Sequence, residues 1–182
     1  MDAALTFFSV EPTGRMKGSG VPMAMRVGAL LEAVALTVRR PARDTARAMS
    51  QENVEVVRRV YERWAYGDFS AADFFDSTIE YLRIGAETPD MEGRWLGLDE
   101  LSTAMREYLR AFSDLRIEAE RIIDLSGDRV LVLSRHTARG KQSGVPIDHE
   151  LGDLFTLRGH KIVHFISYWN RPDALEAAGL SK

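Results

Sequence analysis

Near residue 115 the hydrophobic period of this chain switches from that of a helix to that of a strand, and it stays there almost to the end. LRIEAERIIDL (115–125) and RVLVLSRHTAR (129–139) alternate on either side of a Ser126-Gly127-Asp128 turn, and GKQSG (140–144) supplies the next turn. HELGDLFTLRGHKIVHFISYW (149–169) reads as two further strands folded about Gly159-His160. A two-residue loop with glycine first suits a type II′ hairpin. Upstream, the spacing is helical. Ser50 is placed to cap a helix that puts Val54, Val57, Val60, Tyr61 and Trp64 on one face. Ser70 and Asp73 have capping-box spacing for a second, short helix, and TIEYLRI (78–84) reads as a strand before the GAETPDMEGRW loop. Asp99 opens the most regular helix, with Leu101, Ala104, Met105, Tyr108, Leu109 and Phe112 in phase. Pro172 and Asp173 begin a last helix that Gly179-Leu180 closes. Helices first and a run of strands after them predict an α+β domain.

Charge is uneven along the chain. Residues 1–48 hold seven Lys/Arg and four acids, a net +3, which leaves the remainder with 17 basic and 23 acidic residues and a net −6. An acidic body with no basic stripe argues against nucleic acid as a partner. The absence of cysteine excludes disulfides, thiolate nucleophiles and Cys-based metal sites, and it suits a cytoplasmic location. VGALLEAVALTV (27–38) follows Arg26 as the apolar core of a signal peptide would, but Glu32 interrupts it. Arg39, Arg40, Arg43 and Arg47 crowd the region that should be neutral. Twelve residues are too few to cross a bilayer. The expectation is a poorly ordered or loosely packed extension over 1–48, a domain over 49–182, and no membrane partner.

SQENVEVVRRVYERWAYGDF, the Gly97-Leu98-Asp99 helix start, FSDLRIEAERIID, LRGHKIV and RPDALEAAGL, in that order, resemble the nuclear-transport-factor-2-like superfamily, in particular its SnoaL-like polyketide cyclase branch. The resemblance covers about Met49 to Leu180. It implies a cone, in which a strongly curved antiparallel sheet wraps around N-terminal helices and leaves a pocket at the open end. Enzymes and non-catalytic binders share that cone, so the fold does not name a reaction.

Pairing across the Gly159-His160 turn sets Leu154 opposite Phe165, Gly152 opposite Ser167 and Glu150 opposite Trp169. Both faces are partly apolar, so alternation alone does not choose the inner one. Similarity to epoxide hydrolases of the same superfamily does choose. Their last strand resembles HFISYWN, with a catalytic aspartate where Ser167 stands. Another strand resembles SRHT, with an arginine matching Arg135 and a second aspartate matching Thr137. Their first strand resembles EYLRI, with a tyrosine matching Tyr81 and an asparagine near Arg83. These matches imply that Tyr81, Arg83, Arg135, Thr137 and Ser167 face inward. By register Glu150, Gly152, Leu154, Phe165 and Trp169 follow, with Asp148 nearer the mouth. His149, Asp153 and His164 are then assigned to the outer face.

Neither Thr137 nor Ser167 supplies the carboxylate that epoxide hydrolysis would need. Glu150 is the remaining acid–base candidate, beside Trp169, with Arg135 to stabilise an enolate and Tyr81 to hydrogen-bond a carbonyl. The simpler alternative is a Glu150–Arg135 ion pair that only tidies a polar mouth. Trp64 is the aromatic residue most suited to line a pocket, while Trp95 is either a lid or packing. The histidines at 136, 149, 160 and 164 lack metal spacing, and no metal or cofactor is expected. Ile147, Leu151, Phe155, Ile166 and Tyr168 are expected to form an outer apolar face that a homodimer would bury. The expected function is to hold a small, apolar or aromatic organic molecule. The alternatives are a lyase, isomerase or cyclase acting through Glu150 with Arg135, and a non-catalytic dimeric interaction module.

Overall fold

The computed structural model describes residues 23–86 and 92–181, with side chains from residue 44 onward. Residues 1–22 and 87–91, and the side chains of VGALLEAVALTV (27–38), lie outside the described residues, and with them part of the expected extension and of the 85–95 loop. The chain divides into two units, Met1–Arg40 and Pro41–Lys182, of which the second holds the sheet.

Helix α1 spans Met23–Ala65 and runs through Ser50 without a break. Ser50 is therefore not the expected N-cap. Its hydroxyl donates instead to Asp124, and Asn53 Nδ2 donates to the Gly127 carbonyl at 3.1 Å, so the helix is fastened to a strand end and the adjoining turn. The helix stops at Gly67, whose φ of +75° suits a residue without a Cβ. The Ser70–Asp73 box yields only one 3-10 turn, Ala71–Phe74, because Ser70 bonds Asp68 rather than capping it.

Strands β1 (Phe75–Ile84) and β2 (Gly93–Leu96) precede α2 (Gly97–Ala111). Then come β3 (Phe112–Asp124), β4 (Arg129–Gly140), β5 (Pro146–Arg158), β6 (Lys161–Tyr168) and α3 (Arg171–Ala177). They form one open six-stranded sheet in the order β2-β1-β6-β5-β4-β3. The sheet is mixed rather than wholly antiparallel: β1 and β6, distant in sequence, pair in parallel. Register shifts interrupt three of the pairings, and such bulges bend and twist the strands that carry them. The result is the curved α+β architecture that the sequence implies.

The inner face of the sheet packs on α1. Val57, Val60, Tyr61 and Trp64, spaced as one helical stripe, are buried with Val130, Val132, Phe155 and Phe165. Each such side chain contributes about 1.5–3 kcal/mol by leaving water. The outer face is apolar too, because α3 covers it: Leu131, Leu133 and Leu154 pack against Ala174 and Ala178. Asn170 caps this helix by accepting from the Asp173 N–H. Gly179 and Leu180 close it with bonds back to Glu176 and Leu175 at 2.9 and 2.8 Å.

Two expectations about the β5–β6 hairpin change. Gly159 and His160 both have positive φ, +55° and +64°, so the turn is type I′ rather than II′. Near the turn the expected register holds, with Leu157 opposite Ile162, but a shift between Thr156 and Leu157 adds a residue on β6. Beyond it Phe155 faces Phe165, Asp153 faces Ser167 and Gly152 faces Tyr168. One residue of slip turns every β5 side chain over relative to β6. Leu151, Asp153 and Phe155 therefore look inward, and Glu150, Gly152 and Leu154 look outward. The expected outer patch loses Leu151 and Phe155 to the core, while Ile166 and Tyr168 pack with the cluster under α3.

Candidate functional site

Two rows of side chains cross the inner face. In the first, Phe155, Phe165, Tyr81 and Trp95 are successive partners from β5 to β2. Their rings stack in turn, with centroids 4.7, 4.6 and 5.1 Å apart. Trp95 is thus part of an aromatic wall. The second row is polar: Asp153 on β5, Ser167 on β6 and Arg83 on β1 lie side by side. Two strand spacings, about 10 Å, separate the carboxylate strand from the guanidinium strand.

Asp153 is the chemical centre of this row, and it is only 2% exposed. Tyr61 on α1 donates to Oδ2 at 2.5 Å, Ser134 on β4 donates to the same oxygen at 2.8 Å, and Ser167 donates to Oδ1 at 2.7 Å. A buried carboxylate requires such donors. The Tyr61 hydroxyl stays protonated: burial raises its pKa well above the usual value, and the neighbouring Asp153 charge adds to the effect.

His136 extends the network. Its Nδ1 lies 2.9 Å from the Tyr108 hydroxyl and its Nε2 lies 3.5 Å from Ser134 Oγ. Burial pushes its pKa down from 6.5 to about 4, against the opposing pull of Asp153, so the ring is neutral at pH 7. Because Ser134 gives its proton to Asp153, the consistent tautomer carries hydrogen on Nε2 and accepts from Tyr108 at Nδ1. Tyr108, His136, Ser134 and Asp153 then form one directed chain of hydrogen bonds. Arg83, buried on the opposite side, donates from Nε to the Tyr81 hydroxyl at 3.1 Å. Its guanidinium carbon lies 5.0, 5.2 and 5.6 Å from the ring centres of Tyr108, Trp95 and Tyr81. Aromatic faces at these distances stabilise a buried cation.

These groups enclose a cavity with an empty volume of about 360 Å³, counting the part open to solvent. It is narrow, with room for one or two water molecules beside the side chains. Of the residues expected at the site, Trp64, Tyr81, Arg83, Phe165, Ser167 and Trp169 line it. Trp169 Nε1–H, buried in this wall, has no acceptor among the described residues.

Four expected residues are elsewhere. Glu150, Arg135, Thr137 and Leu154 all fall on the outer face. Arg135 pairs with Asp148 at 2.5 Å and Glu150 with Arg171 at 3.3 Å, and both Glu150 and Asp148 are more than half exposed. Leu154 is buried under α3. For β5 the cause is the bulge. On β4, pairing of His136 with His149 and of Val132 with Asp153 puts even-numbered residues inside, so Arg135 and Thr137 look out. His149, expected outside, packs edge-on against Trp169 at 5.2 Å. His164 is outside as expected, 3.1 Å from Glu80.

Sequence reasoning missed Asp153, Ser134, His136, Tyr61 and Tyr108. The usable signal was Asp153 itself: a lone carboxylate inside the apolar run LGDLFTL, next to a glycine, demands buried donors.

A SnoaL-like domain model matches residues 57–165. The chain belongs to the SnoaL-like domain family. Its solved neighbours have the same fold. An NTF2-like protein of unknown function from Burkholderia pseudomallei is 17% identical, with a TM-score of 0.59 over 69% of this chain and 95% of the other. TerC, co-crystallized with polyporic acid, is 16% identical, with a TM-score of 0.58 over 70% and 98%. A candidate SnoaL-like polyketide cyclase from a Jannaschia species is 18% identical, with a TM-score of 0.57 over 72% and 94%. No curated protein matches the chain. Among the described residues of this SnoaL-like chain, no helix is long and apolar enough to cross a membrane.

Proposed function

We propose that this SnoaL-like domain binds a small aromatic or conjugated carbonyl compound and moves a proton on it, with Asp153 as general acid–base. The single observation that carries the reading is the row Asp153–Ser167–Arg83 along one cavity wall. A ligand ring would lie against Phe165 and Tyr81. Its oxygen would accept from Arg83 and from Trp169 Nε1–H, and a C–H beside the carbonyl would face the carboxylate. Enolate charge developing on that oxygen is what a buried guanidinium stabilises. The cation and the base stand two strand spacings apart along that wall, so one can take the α-proton while the other holds the carbonyl oxygen beside it. Met105, a flexible thioether in the cavity lining, is the side chain best suited to yield as a ring enters. Ligands named for neighbours, such as the polyporic acid of TerC, agree with an organic occupant of this fold. The reaction class is therefore isomerase, lyase or cyclase, with Asp153 and Arg83 in the roles that the sequence alone assigned to Glu150 and Arg135.

The test uses 2-tetralone in deuterated water, with exchange of its α-protons followed by NMR. Wild-type protein is expected to accelerate exchange above the buffer rate, and Asp153→Asn to abolish the acceleration while 2-tetralone still broadens on binding. Equal exchange by wild type and Asp153→Asn would remove Asp153 from the chemistry, and absence of binding would remove the ligand class.

A further inference from the structure

A second void lies beside the polar cavity, with an empty volume of about 520 Å³ including its solvent-open part. Trp64, Met105 and Phe165 line both. The second void is otherwise apolar, walled by groups such as Phe69 and Leu98, and two serine hydroxyls are its polar side chains. No acidic or basic side chain lines it, so the space offers no general acid or base.

Helix α2 shows that the two spaces are consecutive. Leu98, Ser102 and Met105 form one stripe along the second void, and Tyr108, a turn further, lines the polar cavity. From Leu98 to Met105 the helix rises about 10 Å. Met105 stands where the two spaces meet, and its unbranched thioether can swing without displacing backbone. Protein interiors close-pack and leave few voids larger than water, so apolar space contiguous with a polar cavity calls for an occupant.

We infer that this void is a subsite for the hydrocarbon tail of the ligand whose polar head meets Asp153 and Arg83, which makes the ligand an amphiphile. The inference rests on the head-group reading above for the identity of the head. The tail passes Met105 and lies between Trp64, Phe165 and the Leu98–Ser102 stripe.

The experiment is calorimetric titration with 4-alkylphenols from methyl to hexyl. Each methylene that enters the void should tighten binding about fourfold. Ser102→Phe fills the void from a half-buried position and should collapse the series onto the affinity of 4-methylphenol. Leu98→Trp provides a second filling variant, and unchanged circular dichroism certifies both folds. Affinity independent of chain length in wild type would overturn the subsite, as would a full chain-length effect in both folded variants. The head reading fails separately: 4-methylphenol binding that ignores Arg83→Met and Asp153→Asn would sink it and leave the tail subsite standing.

Discussion

The Tyr61 hydroxyl on α1 donates to Asp153 Oδ2 on β5 at 2.5 Å, and both side chains are buried. The bond ties the helix to the sheet and also satisfies the carboxylate. Tyr61→Phe leaves Asp153 with the Ser134 and Ser167 donors only. Loss of a donor to a buried acceptor costs about 1–3 kcal/mol. Urea unfolding should show a lower midpoint with an unchanged slope. A midpoint equal to wild type would show that the other two hydroxyls suffice.

Acid should weaken the fold through His136. Its pKa is depressed to about 4 in the folded chain and returns to 6.5 on unfolding. Between those values the unfolded state binds more protons, so stability is full above pH 6.5 and falls as pH drops towards 4. The shift corresponds to roughly 3 kcal/mol as an order of magnitude. Burial is the largest cause of the shift, the Asp153 charge opposes it, and His149 and Arg83 add to it. His136→Gln should flatten the melting temperature over this window. An equally steep acid limb in the variant would assign it to other groups.

The elements that the sequence reveals are those whose burial is one-sided. Helix α2 and the Val57–Trp64 stripe show a single apolar face, and α3 carries its own cap and stop signals. On β6 and β1, Phe165, Ser167, Tyr81 and Arg83 take the expected side. Strands β4 and β5 are covered on both faces, by α1 within and α3 without, so alternation carries no phase there. The extra residue on β6 has no compositional signature either, and it decides whether Glu150 or Asp153 is inside. The site was legible as a cavity on β1 and β6, and its carboxylate was hidden by one bulge.

Gly152 is the residue that lets α3 lie down on the sheet. A Cβ built at Gly152 would come 2.1 Å from the Ala174 Cβ, far inside contact distance. Gly152→Ala must therefore displace α3 or strain β5, and overpacking of this kind costs about 1–3 kcal/mol. Ala174→Gly should restore much of the loss, even though glycine within a helix is itself unfavourable by about 1 kcal/mol. A double-mutant cycle measured by thermal melting checks the pair. Strict additivity would mean that the helix does not rest on Gly152.

The outer-face charges make the sharpest contrast with Asp153. Arg135 donates from Nε and Nη2 to the two Asp148 oxygens at 2.7 and 2.5 Å, which holds the Asp148 carboxyl below its usual range. Arg171 pairs with both Glu120 and Glu150 nearby. Arg135, Asp148 and Glu150 are about half exposed, where ion pairs contribute little to stability, while Arg171 is mostly covered. Glu150→Gln and Arg135→Gln are expected to leave 2-tetralone exchange at the wild-type rate, whereas Asp153→Asn abolishes it. The comparison separates two carboxylates three residues apart on one strand. Exchange lost in Glu150→Gln and kept in Asp153→Asn would mean that β5 carries the opposite phase in solution, with the extra residue of β6 not bulged.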